Sequence, residues 1–452
     1  MKWFEPLLSD WQHRPTQRRV WALALPMIAS NVTVPLVTLV DSTVAGHLPH
    51  AAQLAAVAVG GIIYQVPVWV FGFLRMGTVG FAAQASGRRD GDALRSVLLQ
   101  ALLLALVLAL VSSALLAVFL SPLLGLMQPS PAMHGYAEGY LHIRLFGLPA
   151  ALGNAALMGW FLGAQNARLP MRILVTTNLV NITLNLLFVL GFGWGVPGIA
   201  LASVLGEWIG LASGLVAVPG MLARWPGSAQ LARLRRWHTW SALLGVNRDI
   251  MLRSLALQGV FFAITTLGSR LGDNVVAANA LLLNGLLLTS FALDGLANAI
   301  EALAGHAIGA RDRHALRRAV VATAGWSLIG GIAFALLFTL GGRLFVDLQS
   351  SISIVRQTAY PFLPYLAVLP LFALWGYLLD GLFVGATRAR EMRNAMLWSA
   401  AGFAALAWLL RPLGNHGLWL AFLGFTALRG GLMAWIAIVL ARRNAWVPSG
   451  SS

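Results

Sequence analysis

The residue best placed to do chemistry is Asp41, a single carboxylate in the apolar run from 31 to 47. About 20 apolar residues cross a bilayer as a helix, so this run is predicted to span a membrane. An ionisable side chain inside a span is unfavourable and marks a functional site by default. Apolar surroundings disfavour the charged form of a carboxylate, while nearby amides hydrogen-bond either form. Asp41 is therefore predicted to load and release a proton.

Three further polar residues of the first half are predicted to lie, like Asp41, at mid to outer depth in the membrane. At about 1.5 Å per residue, Asp41 lies about 33 Å and Glu207 about 25 Å from the cytoplasmic edge. Asn181 and Asn185 lie about 14–20 Å deep and share one helix face. These four residues are predicted to form a proton-coupling pocket, and helix–helix hydrogen bonding is the alternative.

Three acids of the second half also lie inside predicted spans. Asp294, Glu301 and Asp380 are about 22, 12 and 12 Å from the cytoplasmic edge by the same counting. Asp294 and Glu301 are seven residues apart and share a helix face. They could bind a cationic substrate, pair with an arginine or lock helices together. They form the predicted substrate or second-lobe polar site.

Prolines and deep arginines add two further expectations. Pro26 and Pro35 each remove a hydrogen bond from the first span and can bend it, which would change the exposure of Asp41; a static kink is the alternative. Arg75 is predicted to be the one deep arginine and needs a partner, for which Glu207 is a candidate by depth. Arg144 is expected at the outer interface.

The composition is that of an integral membrane protein. Of 452 residues, 58% are hydrophobic and 10% are charged, whereas soluble domains carry about 25% charged residues. The absence of cysteine excludes disulfides and thiolate metal sites. Walker A, HExxH and G-x-S-x-G motifs are absent, so nothing indicates ATP-driven transport, hydrolysis or a cofactor.

Arginine placement predicts the topology. The net charge of +16 comes from arginines clustered between apolar runs, which is typical of membrane topology and not of nucleic-acid binding. With the amino terminus inside, 22 Lys and Arg residues fall on that side and 4 on the other, so both termini are predicted to be cytoplasmic. After a short interfacial segment, twelve spans are predicted at about 18–45, 54–83, 95–120, 136–163, 170–191, 197–222, 247–270, 276–304, 315–340, 358–384, 394–412 and 416–441.

The chain repeats itself at an offset of 222 residues. GRRDGDALR at 87–95 aligns with GARDRHALR at 309–317, and GAQNAR at 163–168 aligns with GATRAR at 385–390. The fold class is therefore predicted to be an all-α polytopic membrane protein with two six-helix bundles in a parallel repeat. The predicted lobes are 1–222 and 247–452, joined by a cytoplasmic linker at 223–246. Parallel repeats around a central site are a transporter architecture.

Several motifs resemble the multidrug and toxic compound extrusion (MATE) family, in its DinF-like (DNA-damage-inducible protein F) branch. They are LALPMIASNVTVPLVTLVDSTVAGHL at 23–48, FLRMGTVGFAAQASG at 73–87, GVPGIALAS at 195–203, ALDGLANAIEALAGHAIG at 292–309 and LDGLFVGATRAREMRNAM at 379–396. The resemblance implies efflux of organic, mostly cationic or amphipathic, compounds in exchange for H⁺ or Na⁺. It also implies that Asp41 is the proton site beside Asn181, and that a bend at Pro26 accompanies protonation. Some relatives have an aspartate where this chain has Asn185; since Na⁺ prefers charged oxygen ligands, this departure favours H⁺.

The sequence thus predicts a proton-coupled antiporter of the inner membrane, monomeric and without cofactor, metal or nucleic-acid partner. Na⁺ coupling stays open. A lipid or lipid-linked precursor flippase is the rival transporter, and it would need a cationic cavity for phosphates. An intramembrane enzyme using Asp294 and Glu301 is the rival from another class.

Overall fold

The computed structural model describes residues 5–126, 130–228 and 237–447, and this part of the chain is built from helices. A π-helical turn follows α8 at Leu186–Gly191, and 3₁₀ turns lie at Tyr360–Phe362 and Arg411–Leu413. The α-helices are α1 (Glu5–Trp11), α2 (Arg14–Gly46), α3 (Ala51–Val70), α4 (Phe73–Gly87), α5 (Gly91–Leu126), α6 (Pro131–Leu145), α7 (Leu148–Gly163), α8 (Arg168–Asn185), α9 (Gly195–Leu222), α10 (Trp237–Ser269), α11 (Asp273–Gly309), α12 (Arg313–Gln349), α13 (Ser353–Ala359), α14 (Leu363–Gly385), α15 (Ala389–Leu409) and α16 (Asn415–Arg442).

Within the described residues, nine spans are long and apolar enough to cross a membrane, and a tenth is the pair α6 and α7, bent by 47°. The pairs α3–α4 and α13–α14 each form one of these spans. The remaining long helices, α2 with 33 residues and α15 with 21, extend about 50 and 32 Å. Both exceed the roughly 30 Å hydrocarbon core. The prediction of an all-helical fold with twelve spans is confirmed.

Large apolar side chains cover the outside of these helices. Val118, Leu340, Leu348 and Trp398 are 70, 86, 79 and 72% exposed. A contiguous apolar surface of this kind is a liability in water. Surrounding the helices with hydrocarbon removes the liability, in agreement with the composition.

Contacts between Cα atoms divide the chain into an amino-terminal unit, residues 29–243, and a carboxy-terminal unit, residues 1–28 with 244–452. These boundaries differ from the predicted lobes of 1–222 and 247–452. The reason is packing at the chain start: Trp11 and Trp21 lie against Trp326, whose indole N–H donates to Gln17 Oε1 at 2.6 Å. Helix α1 and the first half of α2 therefore pack on α12 and belong to the carboxy-terminal unit.

The repeat seen in the sequence is also present in the backbone. Arg89 and Arg311 both have φ 56°, and each lies between two helices. Asp90 and Asp312 follow them and accept hydrogen bonds from the amides three residues on, at 2.9 and 2.8 Å. A left-handed residue ends one helix and a carboxylate caps the next, so the repeated motif is a helix–turn–helix.

Glycines of α7 and α14 repeat the same close helix packing. A Cβ at Gly159 would lie 2.3 Å from the Arg75 carbonyl oxygen, and one at Gly385 would lie 2.3 Å from the Glu301 oxygen. Gly163 and Gly381, four residues from these, also face backbone oxygens. Small residues spaced four apart let helices approach closely in membranes. The pairs α4–α7 and α11–α14 are therefore rigid contacts inside each unit.

Candidate functional site

Asp41 and Asn185 are directly bonded within the amino-terminal unit. Asn185 Nδ2 donates to Asp41 Oδ1 at 2.6 Å. Asp41 is half-buried near the end of α2, and Asn185 is fully buried as the last residue of α8. The chain continues from Asn185 into the π-helical turn, and such turns often mark functional sites in membrane and soluble helices. The structure thus brings together two of the predicted coupling residues.

Asn181 lies one turn before Asn185 on α8 and bonds to α9. Its Nδ2 donates to Ser203 Oγ at 2.9 Å, and Ser203 in turn donates to the Ile199 carbonyl oxygen. The helices approach closely because Gly206 has no side chain; a Cβ there would lie 2.8 Å from a carbonyl of α8. We refer to Asp41, Asn181, Asn185 and Ser203 as the Asp41 pocket.

The Asp41 pocket offers open acceptors. The side-chain oxygens of Asn181 and Asn185 are buried, and neither has a hydrogen-bond partner among the described residues. A buried carbonyl without a donor is unfavourable by about 1–3 kcal/mol. Asn185, which already bonds Asp41, therefore has an oxygen open to a protonated carboxyl, and both oxygens can accept from a water molecule or coordinate a cation.

Glu207 forms a second polar cluster from three helices. Its Oε1 accepts from Arg144 Nη2 and its Oε2 from the Tyr64 hydroxyl, each at 2.9 Å. The Arg144 guanidinium also stacks on the Tyr64 ring at 3.6 Å from the centroid. Gly147 leaves the necessary room, since a Cβ there would lie 2.1 Å from Glu207 Oε2.

This cluster corrects one expectation about arginines. Glu207 pairs with Arg144, so its suggested pairing with Arg75 is wrong. Arg144 is 6% exposed and lies beside the break between α6 and α7, which bend by 47°. Its expected place at the outer interface stays a prediction.

Arg144 also connects the Glu207 cluster with the Asp41 pocket. It is near enough to Asp41 to interact with it electrostatically, and Tyr140 of the same helix lies beside both. Two carboxylates therefore share the field of one guanidinium. Its Nε and Nη1 have no hydrogen-bond partner among the residues that the structure describes.

Both predicted hinge prolines lie inside the continuous helix α2. Pro26 is half-buried and Pro35 is exposed. The division between the two units falls between them, after residue 28. The segment that holds Pro26 thus packs with one unit, and the segment that holds Pro35 and Asp41 packs with the other.

The carboxy-terminal unit contains a buried charge cluster. Asp380 Oδ2 accepts hydrogen bonds from both Arg253 and Arg429. Asp294 lies near enough to interact electrostatically with these two arginines and with Tyr377. We refer to Arg253, Asp294, Asp380 and Arg429 as the second charge cluster. Two of the three predicted acids of this half therefore lie together, while Glu301 is buried two turns further along α11.

The second charge cluster shows which residues the sequence reasoning missed. Arg253 and Arg429 are 8 and 6% exposed, so the expectation that Arg75 is the one deep arginine is wrong. Both lie inside the predicted spans 247–270 and 416–441, so an arginine within an apolar run was the available signal. Asp380 Oδ1 and the Nε of each arginine have no hydrogen-bond partner among the described residues.

Comparisons with known proteins cover both halves of the chain. The family model MatE matches residues 26–187 and 250–408. The chain is 42% identical to the DNA damage-inducible protein F of Escherichia coli (strain K12), across 95% of this chain and 94% of that protein. It is 30% identical to a probable multidrug resistance protein NorM of Xanthomonas axonopodis pv. citri (strain 306), across 70% of this chain and 69% of that one. A crystal structure of MATE in the bent conformation matches with a TM-score of 0.87 at 18% identity, covering 98% of this chain and 99% of the other.

Proposed function

The chain belongs to the MatE family, and we propose that it exports organic cations or amphipathic molecules in exchange for H⁺ carried by Asp41. Membership makes it a multi-pass membrane transporter of the multidrug efflux type and not an enzyme, which removes the rival interpretation of Asp294 and Glu301 as an intramembrane catalytic pair. Coupling ion, substrate charge and mechanism belong to the proposal.

One observation carries the proposal of proton coupling. The Asp41 carboxylate accepts from Asn185 at 2.6 Å, and two buried amide oxygens in the same pocket lack donors within the described residues. The ionised form of Asp41 is stabilised by the Asn185 amide N–H. A protonated Asp41 has an O–H to donate, and an amide oxygen that lacks a donor can accept it. The pocket therefore provides partners for both protonation states, as a proton-exchanging group requires.

Coupling follows if protonation and substrate binding favour different conformations. A ligand shifts a two-state equilibrium only through its differential affinity for the two states. Protonating Asp41 removes the negative charge from the pocket and changes its bond to Asn185. We infer that this change favours the outward-releasing state, with α2 bending near Pro26 or Pro35 as the moving element.

The second charge cluster supports a polar substrate subsite. It contains two carboxylates and two guanidiniums, so it is electrically balanced when all four are charged. Three of its buried polar atoms lack hydrogen-bond partners among the described residues. Such atoms can bind polar groups on an otherwise apolar molecule. The balanced charge also weighs against a phosphate-binding flippase, because Arg253 and Arg429 already bond Asp380.

Na⁺ is the second candidate coupling ion, and the same amide oxygens favour it. Asp41, Asn181 and Asn185 could together supply hard oxygen ligands to a cation. The pocket, however, contains one carboxylate, because position 185 is an amide. One charged ligand among neutral oxygens suits H⁺ better than a dehydrated Na⁺.

The remaining features of the proposal follow from topology and composition. The arginine distribution supports an inner-membrane protein with both termini in the cytoplasm. We propose that the functional unit is a monomer, that it uses no cofactor or bound metal, and that it has no nucleic-acid partner.

The test is efflux of a fluorescent organic cation from vesicles under an imposed pH gradient, with and without Na⁺. We expect Asp41→Asn to abolish pH-driven efflux while the protein still folds, because an amide cannot exchange a proton. Asp273→Asn is the matched control, since it removes an exposed acid from the first turn of α11. Full pH-driven efflux by Asp41→Asn would overturn proton coupling through Asp41, and efflux that requires Na⁺ at every pH would favour the second candidate.

A further inference from the structure

An apolar cleft opens at one end of the carboxy-terminal unit, between the start of α12 and the end of α16. Its volume is about 360 Å³. Leu382 of α14 lies buried at its base, and Ile438 and Val321 line its walls. We refer to it as the α12–α16 cleft.

Cationic groups lie at the polar end of the cleft. Arg313 and Arg317, one turn apart on α12, both line it and are exposed. Arg313 donates to Asn444 at 3.2 Å, and Arg317 pairs with Asp10 at 2.5 Å. Trp446 completes this end of the cleft; indole rings are typical of the headgroup level of a membrane.

The internal repeat shows that this opening is specific to the second half. The repeat partner of Arg317 is Arg95, which donates to the carbonyl oxygens of Trp225 and Leu222 at 2.9 and 3.3 Å. There the chain after α9 folds over the start of α5, so closely that a Cβ on Gly91 would lie 2.1 Å from the Pro226 oxygen. The first half thus closes the equivalent position with its own backbone.

After α16 the chain takes a different course. The carbonyl oxygen of Ala445 accepts from Arg388 at 2.6 Å, and the residues that follow line the cleft beside Arg313 and Arg317 instead of capping Arg317 with their carbonyl oxygens. Two exposed guanidiniums therefore lie at one end of an apolar cleft. Basic pockets between membrane helices bind anionic lipid headgroups.

We propose that the α12–α16 cleft binds one acidic phospholipid, with its phosphate at Arg313 and Arg317 and an acyl chain along Val321 and Ile438. A zwitterionic lipid has the same acyl chains, but its headgroup carries a positive charge beside the phosphate. The two arginines therefore attract it less strongly than they attract an acidic lipid. We expect the site to bind the acidic lipid about tenfold more tightly than the zwitterionic one. Arg313, which has no acidic partner among the described residues of the cleft, is expected to contribute roughly fivefold, and Arg317, which already pairs with Asp10, is expected to contribute less.

The test is native mass spectrometry of the purified chain in detergent, titrated with dioleoyl phosphatidylglycerol or dioleoyl phosphatidylcholine. We expect one phosphatidylglycerol to bind with about tenfold preference, and the double variant Arg313→Gln/Arg317→Gln to lose that preference. The matched control is Arg168→Gln/Arg172→Gln, which removes two exposed arginines from the start of α8. Equal binding of both lipids, or an equal loss in both double variants, would overturn the proposal.

A second variant tests the acyl-chain part of the cleft. Ile438→Trp places a larger side chain at an exposed wall position and leaves both arginines intact. We expect it to weaken phosphatidylglycerol binding, with an unchanged melting temperature as evidence of folding. Glycerol 3-phosphate, which has the headgroup charge without tails, is expected not to compete at equal concentration. If it competes as well as the lipid, the site binds free phosphate and the lipid assignment is wrong.

Discussion

Arg144 illustrates how single residues determine this structure, because its buried charge depends on Glu207 and Tyr64 around it. Leaving one partner of a buried ion pair alone destabilises a protein by about 3–5 kcal/mol, whereas replacing both with apolar groups is often neutral. Glu207 Oε1 and Arg144 Nη2 are 2.9 Å apart with side chains 15 and 7% exposed. The pair should therefore behave as one thermodynamic unit.

We predict that Arg144→Leu and Glu207→Leu each destabilise the protein by about 3 kcal/mol, and that the double variant recovers most of this loss. Thermal unfolding in detergent measures the effect. Tyr64→Phe is the control, because it removes one hydrogen bond at about 1 kcal/mol and leaves the charges paired. Additive losses in the double variant would contradict the coupling.

At this scale the sequence predicted the residue types better than their partners. The predicted pocket contains both Asp41 and Asn185, and the structure joins them by a hydrogen bond although the residue count places them at different depths. Arg144 and Glu207 lie 63 residues apart on different helices, and a residue count gives depth without showing which side chains face each other. Arg253 and Arg429 lie inside predicted spans, but their burial depends on Asp380 of another helix, which the spacing of residues in the chain does not reveal.

Close contacts between helices stabilise the structure at the scale of the element. The α4–α7 and α11–α14 pairs pack through glycines against backbone oxygens, which cannot move aside as a flexible side chain can. Adding a methyl group there forces the helices apart. Inserting extra carbon atoms into a packed core destabilises by about 1–3 kcal/mol.

We predict that Gly159→Ala and Gly381→Ala each lower stability by about 1–3 kcal/mol. Their Cβ atoms would lie 2.3 and 2.4 Å from the carbonyl oxygens of Arg75 and Ala297. Gly139→Ala is the control: nothing lies within 4 Å of its Cβ, and alanine favours helix. Melting temperatures of the three variants give the comparison, and equal stability of Gly159→Ala and Gly139→Ala would contradict the packing argument.

The elements themselves were predicted well, because length and apolar composition identify a membrane span. The first span was predicted at 18–45 and the helix runs over Arg14–Gly46. The π-helical turn at Leu186–Gly191 and the break between α3 and α4 were not predicted. Both depend on local backbone hydrogen bonds, which an apolar run does not encode.

At the scale of the whole molecule, the path of α2 and α10 is informative. The first residues of each of these helices belong to one unit and its last residues to the other: α2 passes from one unit to the other after residue 28, and α10 does so after residue 243. The sequence repeat predicts two lobes, 1–222 and 247–452, because it reflects the duplication of a six-helix unit. Packing divides the chain differently, since Trp11 and Trp21 lie against Trp326 and attach residues 5–28 to the second half. Chain order alone could not reveal this attachment.

Helix α2 contributes residues to both units, so in the proposed mechanism it is the element that protonation of Asp41 bends. Proline at 26 removes one helix hydrogen bond two residues before the division, which favours bending at that point. Pro26→Ala restores an amide N–H and stiffens the helix. We predict a fall in pH-driven efflux of roughly tenfold, which corresponds to about 1.4 kcal/mol on the barrier. Equilibrium binding of the fluorescent cation should change less, because Asp41 and Asn185 keep their bond.

Pro122→Ala provides the matched control for that prediction, since it also restores an amide N–H inside a membrane helix. It lies on α5, which contains none of the predicted coupling residues, so its efflux should stay near the unsubstituted rate. Efflux and binding are measured in the same vesicle preparation, which separates a slowed conformational step from a damaged pocket. If Pro26→Ala transports as fast as Pro122→Ala, bending at residue 26 is not part of the transport cycle. If instead its binding falls as much as its efflux, the proline acts by shaping the Asp41 pocket.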